Sequence, residues 1–280
     1  RGIRRVVHPH TRAASPWVAA RRRSCPDADV PTLGTMSSVL AESDLSAAQF
    51  RAISQTVYEI AGIQLRDGKE GLVRSRLAKR LRALGLASYD AYLERVQAEP
   101  RELAEMVDLL TTNKTSFFRE SAHFDFLRDH VLPAHAGGPL RLWSAGCSSG
   151  EEPYTLAMVI REAWPDAGAG PAHARDVKIL ATDISHRVLA AARAGVYADA
   201  TMADVPPELL RRHWTRAAAP DLGGRPAPGQ GWSAGAALRA LVTFAPLNLM
   251  GAWPMKGPFH AIFCRNVMIY FDKATQQALV

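Results

Sequence analysis

From Pro139 onward the chain alternates short apolar runs with amphipathic stretches, and this constrains the fold more than any other feature. PLRLWSAG, VKILATDIS, ALVTFAPLNL and FHAIFCRNVMIYF read as strands. EEPYTLAMVIREAW, with Leu156, Val159, Ile160 and Ala163 on one face, and RVLAAARAGVY read as helices. Strands separated by helices need crossover connections, so the expected product is a parallel sheet with helices on its faces. The strands are expected at about 140–144, 178–182, 241–245 and 260–265. Between them, residues 216–237 are rich in Gly, Pro and Ala and too long for an ordinary connection. They read as an insertion, spanning about 200–238, in the form of a flexible loop or a small subdomain.

Ligands of an open parallel sheet sit beyond the carboxyl ends of its strands. Here those ends carry SAGCSSGEE, Asp183, Asn248, and Arg265 with Asn266. Gly146 and Gly150 permit a tight turn and close backbone approach. Asp183 can accept hydrogen bonds from two vicinal hydroxyls of a ribose, or it can cap the following helix. The first loop separates the possible nucleotides. A dinucleotide fingerprint reads G-x-G-x-x-G, whereas this loop reads G-C-S-S-G and then places Glu151 and Glu152 at a helix N-terminus. Two acids there repel a pyrophosphate and suit a cationic ligand such as S-adenosylmethionine, whose methionine end carries an ammonium and a sulfonium. The same acids also complement the helix dipole. Ahead of the sheet, TTNKTSFFRE holds Arg119, which can grip a carboxylate in a bidentate fork or stand solvated at a helix start.

Residues from about Asp44 to Leu110 repeat apolar positions at three- and four-residue steps: Phe50, Ile53, Val57, Ile60 and Ala61; Leu72, Val73, Leu77, Leu81 and Leu84; Tyr89, Tyr92, Leu93 and Val96; Leu103, Met106, Val107 and Leu110. Four short helices make a small bundle. On the second of them Arg76, Lys79 and Arg80 fall within one turn, which reads either as a docking face for an acidic partner or as a solvated basic face.

The formal net charge of +7 is concentrated at the start of the sequence. Residues 1–35 hold seven arginines against two aspartates, +5 of the total, and show no periodicity. That tail is expected to be disordered or an upstream extension foreign to the native protein, and the near-neutral remainder gives no ground for a nucleic-acid partner. No apolar run is long enough to span a bilayer, so membrane insertion is not expected. Cys25, Cys147 and Cys264 are scattered; they suggest neither a disulfide framework nor a metal site, and they suit a reducing cytoplasm.

TTNKTSFFRE, SAGCSSGEEPYTLAM, ILATDIS, APLNLM and AIFCRNVMIYFDK occur in that order and spacing. Together they resemble the chemotaxis receptor methyltransferases, the CheR family, from about Ser46 onward. The resemblance implies an α plus α/β fold. A helical domain (36–110) would precede a Rossmann-like S-adenosylmethionine domain (111–280) that carries a small inserted β subdomain. It implies methylation of glutamate carboxylates on the cytoplasmic segments of chemotaxis receptors, with S-adenosylmethionine as cofactor, by a cytoplasmic protein expected to act as a monomer. It further implies cofactor contacts from Asn113, Thr115, Arg119, Glu152, Asp183, the pair Asn248–Leu249 and the pair Asn266–Val267. Arg119 would lie near both the methionine end and the target carboxylate, and Tyr270 would orient the substrate. In some members the subdomain offers a sheet edge to a receptor tail peptide; the matching region here lacks clear alternation, which leaves tethering open. The family also continues for further strands, so the sheet is expected to be incomplete at Val280 and AIFCRN to form an open edge. Two rival functions stand beside this one: a non-catalytic S-adenosylmethionine-binding regulatory module with a partner-docking helical domain, and a nicotinamide oxidoreductase, which the first loop disfavours.

Overall fold

The computed structural model describes residues 44–167, 175–218 and 230–279. The basic tail and Cys25 therefore lie outside the described residues, as does the middle of the 216–237 segment.

Four helices come first: α1 (Ala47–Ala61), α2 (Glu70–Leu84), α3 (Tyr89–Ala98) and α4 (Pro100–Leu110). Helix α1 starts where Ser46 and Gln49 satisfy each other's backbone N–H groups in a capping box. Its turn spacing brings Phe50, Ile53 and Val57 onto Val73, Leu77, Leu81, Tyr92 and Met106 in one core. Each of these side chains contributes about 1.5–3 kcal/mol when withdrawn from water.

The basic face of α2 is not free for a partner in the way its spacing suggested. Arg76 turns toward the C-terminal end of α4, donating to the carbonyl oxygens of Leu109 (3.3 Å), Leu110 (2.9 Å) and Thr111 (2.8 Å) and to the Thr112 hydroxyl (3.3 Å). Arg80 forks onto both oxygens of Glu102 at 2.9 and 2.6 Å, and Glu102 is only 3% exposed. These bonds hold the Glu102 carboxyl below its usual range. Only Lys79 of the three stays exposed. The like charges coexist because each arginine has its own acceptor on α4, an arrangement invisible to helical spacing alone.

Helix α5 (Ala122–Phe126) runs through a π-helical turn (Leu127–Val131) into α6 (Leu132–Ala134). The α/β region then follows in the order β1 (Leu140–Ala145), α7 (Glu151–Ala163), β2 (Val177–Asp183) and α8 (His186–Ala194). A small subdomain comes next: β3 (Val196–Ala198), α9 (Pro207–His213), β4 (Trp214–Ala218) and β5 (Gln230–Ala234). The chain re-enters the main sheet through α10 (Ala236–Leu241), β6 (Val242–Pro246) and β7 (Ala261–Phe263), and α11 (Lys273–Leu279) follows.

The main sheet has the order β6-β2-β1-β7 and is parallel throughout, with Leu140 opposite Val177, Ile179 opposite Val242 and Leu142 opposite Ala261. Strand order reverses between β1 and β7, which makes their carboxyl ends the topological switch point. Among the described residues β7 pairs only with β1, and Ile262 on it is 54% exposed.

The insertion is partly a sheet rather than only a loop. Strands β3, β5 and β4 form a three-stranded antiparallel sheet. Its alternation is hard to read because small residues dominate; the anchoring is done by two aromatics, Tyr197 and Trp214. Both are buried against Phe117 and Tyr154, with ring centroids 5.1–6.2 Å apart in edge-to-face contacts.

Candidate active site

The ten residues that the sequence points to, 113, 115, 119, 152, 183, 248, 249, 266, 267 and 270, line a single cavity of about 460 Å³. It opens at the switch point and is roofed by residues of the helical domain, among them Ile63, Lys69, Leu72 and Arg76. That volume lies in the range of about 300–1,000 Å³ common for small-molecule sites.

The loop after β1 forms the floor. Gly146 has φ +80°, and a Cβ on it would stand 2.3 Å from the Val267 Cγ2 atom. Glycine is therefore what lets the first loop meet the loop after β7. Gly150, at φ +99°, caps α7, and a Cβ there would meet Ala192 of α8 at 2.9 Å. Between the two glycines, Ser148 donates its N–H to Asp183 Oδ2 (2.8 Å) and its hydroxyl to the Asn113 carbonyl (2.9 Å).

Asp183 ends β2, 7% exposed. Its Oδ1 accepts the Ser185 N–H at 2.9 Å. The cap of α8 is Ser185, whose hydroxyl accepts from Val188, so Asp183 is left as a wall residue of the cavity. Burial pushes its carboxyl above the ordinary carboxylate range, against the opposing pull of the N–H bonds from Ser185 and Ser148.

Of the two acids that open α7, only Glu152 faces the cavity. Neighbours on a helix stand about 100° apart, so the two side chains diverge. Glu151 turns inward, 4% exposed, and accepts from the Ser149 hydroxyl at 2.7 and 2.9 Å. Glu152 accepts the Ser144 hydroxyl on Oε1 (2.7 Å) and the Arg265 guanidinium on Oε2 (3.2 Å). Burial raises its carboxyl above the usual range; Ser144 and Arg265 pull the other way.

Arg265 is the residue that sequence reasoning passed over. It stood out only as a polar strand end, yet it organises this wall. Its side chain is 10% exposed, bonds the Arg119 carbonyl, pairs with Glu152 and with Glu120 (3.3 Å), and lies 5.1 Å from the Phe124 ring centre. The signal that could have found it is a guanidinium at the end of the strand that lies across the switch point from the Glu152 helix.

The remaining positions divide by what their side chains already hold. Arg119 donates to the Lys114 carbonyl at 2.8 Å and keeps part of its guanidinium on the cavity. Asn266, at φ +56°, donates to Glu120 at 3.2 Å. Asn248 lines the cavity but commits its side chain to α1 and its own loop: its amide donates to the Ile60 carbonyl (2.6 Å) and its oxygen accepts the Met250 N–H (3.0 Å). It therefore clamps the loop carrying Leu249 to the helical domain. Tyr270 sits in a short 3₁₀ turn, half-buried, with its hydroxyl 3.5 Å from the Thr112 carbonyl. Cys147 is buried and its thiol is pushed well above its ordinary value by burial, which suits a packing role rather than a nucleophile.

Buried acids on the floor, a guanidinium at the rim and a glycine turn between them make a chemistry for a ligand with cationic, carboxylate and hydroxyl groups together. S-adenosylmethionine carries all three.

Comparison with known proteins points the same way. Residues 113–280 match the family described as CheR methyltransferase, SAM binding domain, and residues 48–111 match CheR methyltransferase, all-alpha domain. The chain is 43% identical over 230 residues to a probable chemotaxis protein methyltransferase of Rhizobium etli, covering 80% of this chain and 81% of that protein. It is 41% identical over 239 residues to a chemotaxis protein methyltransferase of Escherichia coli, covering 84% and 78%. The corresponding protein of Salmonella typhimurium is 39% identical over 260 residues, covering 92% and 84%.

Proposed function

The chain belongs to the CheR methyltransferase family, whose catalytic domain binds S-adenosylmethionine, and on that premise we propose that it methylates glutamate side chains on the cytoplasmic segments of chemotaxis receptors. One observation carries the reading. A single cavity at the switch point gathers Glu152, Asp183, Arg119 and Tyr270, groups suited to the cofactor's cation and ribose and to an incoming carboxylate.

When bound, S-adenosylmethionine supplies a methyl group activated by a sulfonium. The protein's own part is alignment and desolvation. A glutamate carboxylate is already ionised near neutrality, its reference pKa being about 4.3, so no general base is required. Arg119 holds and orients that carboxylate from the rim, and Tyr270 restricts its approach from the facing turn. Ile63, Leu72 and Leu249 exclude water, which favours in-line attack because charge is neutralised as the new bond forms. The rival reading, a binding module without turnover, would use the same floor.

The deciding experiment incubates the full chain with methyl-labelled S-adenosylmethionine and receptor cytoplasmic segments carrying either Glu or Gln at the acceptor positions. Base-labile label should enter the Glu form alone. Cofactor binding with no transfer to either form would favour the binding module.

The raised carboxyls give a pH prediction. A raised acid is stabilising while protonated, and that contribution is lost as pH rises through its folded-state pKa, so the cofactor-free protein carries Glu152 and Asp183 at a cost near neutrality. A cationic ligand favours the ionised form of Glu152. Affinity for S-adenosylmethionine should thus be flat near neutral pH and fall on acidification while the pH is still above the ordinary glutamate value, with proton release on binding in that window. Calorimetry in two buffers of different ionisation enthalpy reads both. Affinity that holds constant down to the ordinary value would remove Glu152 from the cation's partners.

A further inference from the structure

Resting on the reading of Asp183 as the ribose carboxylate, we propose that Asp108, in the helical domain, is a positioning residue for the cofactor site and acts through Ser185. Asp108 does not line the cavity. It projects from the last turn of α4 onto the start of α8, 7% exposed. Its Oδ1 accepts the Ser185 hydroxyl at 2.5 Å, its Oδ2 accepts the Arg187 N–H at 3.2 Å, and the Arg187 guanidinium stands 3.6 Å from Oδ1.

Ser185 is thereby committed at three points. Its hydroxyl proton goes to Asp108, its hydroxyl oxygen accepts the Val188 N–H (3.2 Å), and its own N–H goes to Asp183 Oδ1 (2.9 Å). A serine hydroxyl has one proton and can rotate; the carboxylate of Asp108 fixes the rotor and leaves the lone pair aimed at the helix. With Ser185 and Arg187 both tied to α4, the backbone that follows Asp183 is held from outside its own domain. Asp183 has two fixed donors, Ser148 N–H on one oxygen and Ser185 N–H on the other, and the second is only as well placed as Ser185 is. Hydroxyl recognition by a buried carboxylate depends on such placement, because small misplacements cost large factors.

A merely structural role makes a different prediction, and α4 supplies the comparison. Glu102 lies on the same helix, is 3% exposed, is paired with Arg80, and does not line the cavity. Breaking either pair should lower stability; only Asp108 should change cofactor affinity.

The test measures the dissociation constant for S-adenosylhomocysteine by calorimetry, the KM for S-adenosylmethionine, and the melting temperature. The proteins are the full chain and its variants Asp108→Ala, Asp108→Asn, Glu102→Gln and Ser185→Ala. Asp108→Ala should weaken S-adenosylhomocysteine by about tenfold, the size of one lost charge-assisted hydrogen bond. It should raise the KM by a similar factor and alter kcat less. Asp108→Asn, which can still accept the Ser185 hydroxyl, should recover part of the loss. Glu102→Gln should melt earlier yet bind as the unmodified chain does. Unchanged affinity in Asp108→Ala overturns the proposal. If that variant does not fold, unchanged affinity in Ser185→Ala, which removes the hydroxyl and keeps the N–H, overturns it instead. Failure of the unmodified chain to bind S-adenosylhomocysteine is a separate outcome: it overturns the cofactor reading of Asp183, and this proposal with it.

Discussion

Replacing Arg265 by alanine should lower the stability of the protein by about 3 kcal/mol, the cost typical of breaking one side of a buried ion pair. The reason is what it leaves behind. Glu152 would keep the Ser144 hydroxyl as its remaining side-chain donor, and the Arg119 carbonyl would lose its guanidinium partner. In a domain of this size that loss lowers the melting temperature by roughly 6–12 °C. Adding Glu152→Gln should restore much of the stability, because an amide tolerates burial where an unpaired charge does not. It should not restore cofactor binding, since the anion of the floor is gone. Chemical denaturation of the two variants separates these effects. A single variant within ~0.5 kcal/mol of the parent would mean that water already solvates the pair.

Asp183→Ala should weaken S-adenosylhomocysteine by about 1–3 kcal/mol, or 5- to 150-fold, the range for hydrogen bonds to a charged acceptor. Part of that loss is indirect, because the N–H groups of Ser148 and Ser185 lose their acceptors and the first loop loses its anchor to β2. Asp183→Asn tests the division: it retains one acceptor but presents an amide N–H to one of the two backbone donors. If alanine weakens binding and asparagine does not, shape rather than charge is what the site needs from this residue. If neither changes affinity, Asp183 is a loop anchor and the ribose is held elsewhere.

The parallel sheet was readable because strand, helix and strand alternate with distinct periods, and the site residues were readable because the switch point draws strand ends together. Four things were not. Arg76 and Arg80 looked like an exposed pair because helical spacing says which residues share a face, not what packs against it; the acceptors are on α4. Glu151 and Glu152 looked like a joint anion because adjacency in sequence hides the 100° turn that parts them. The small sheet was hidden by Ala-rich strands, whose buried aromatics among the described residues are Tyr197 and Trp214. Arg265 belongs with these: its partners Glu152 and Glu120 lie 113 and more residues away, and no local pattern links them.

The crossing of strand order between β1 and β7 has a kinetic meaning as well. Ser148 reaches Asn113 and Asp183 across 35 residues in each direction, Arg265 reaches Arg119 across 146, and His260 meets Arg141 across 119. Contacts that close such long loops bear their entropy before they are rewarded, whereas the turn-by-turn contacts of the helical bundle do not. The cavity is therefore expected to close after the helical bundle, and a cofactor that binds only the closed cavity would then act as a latch on the finished state.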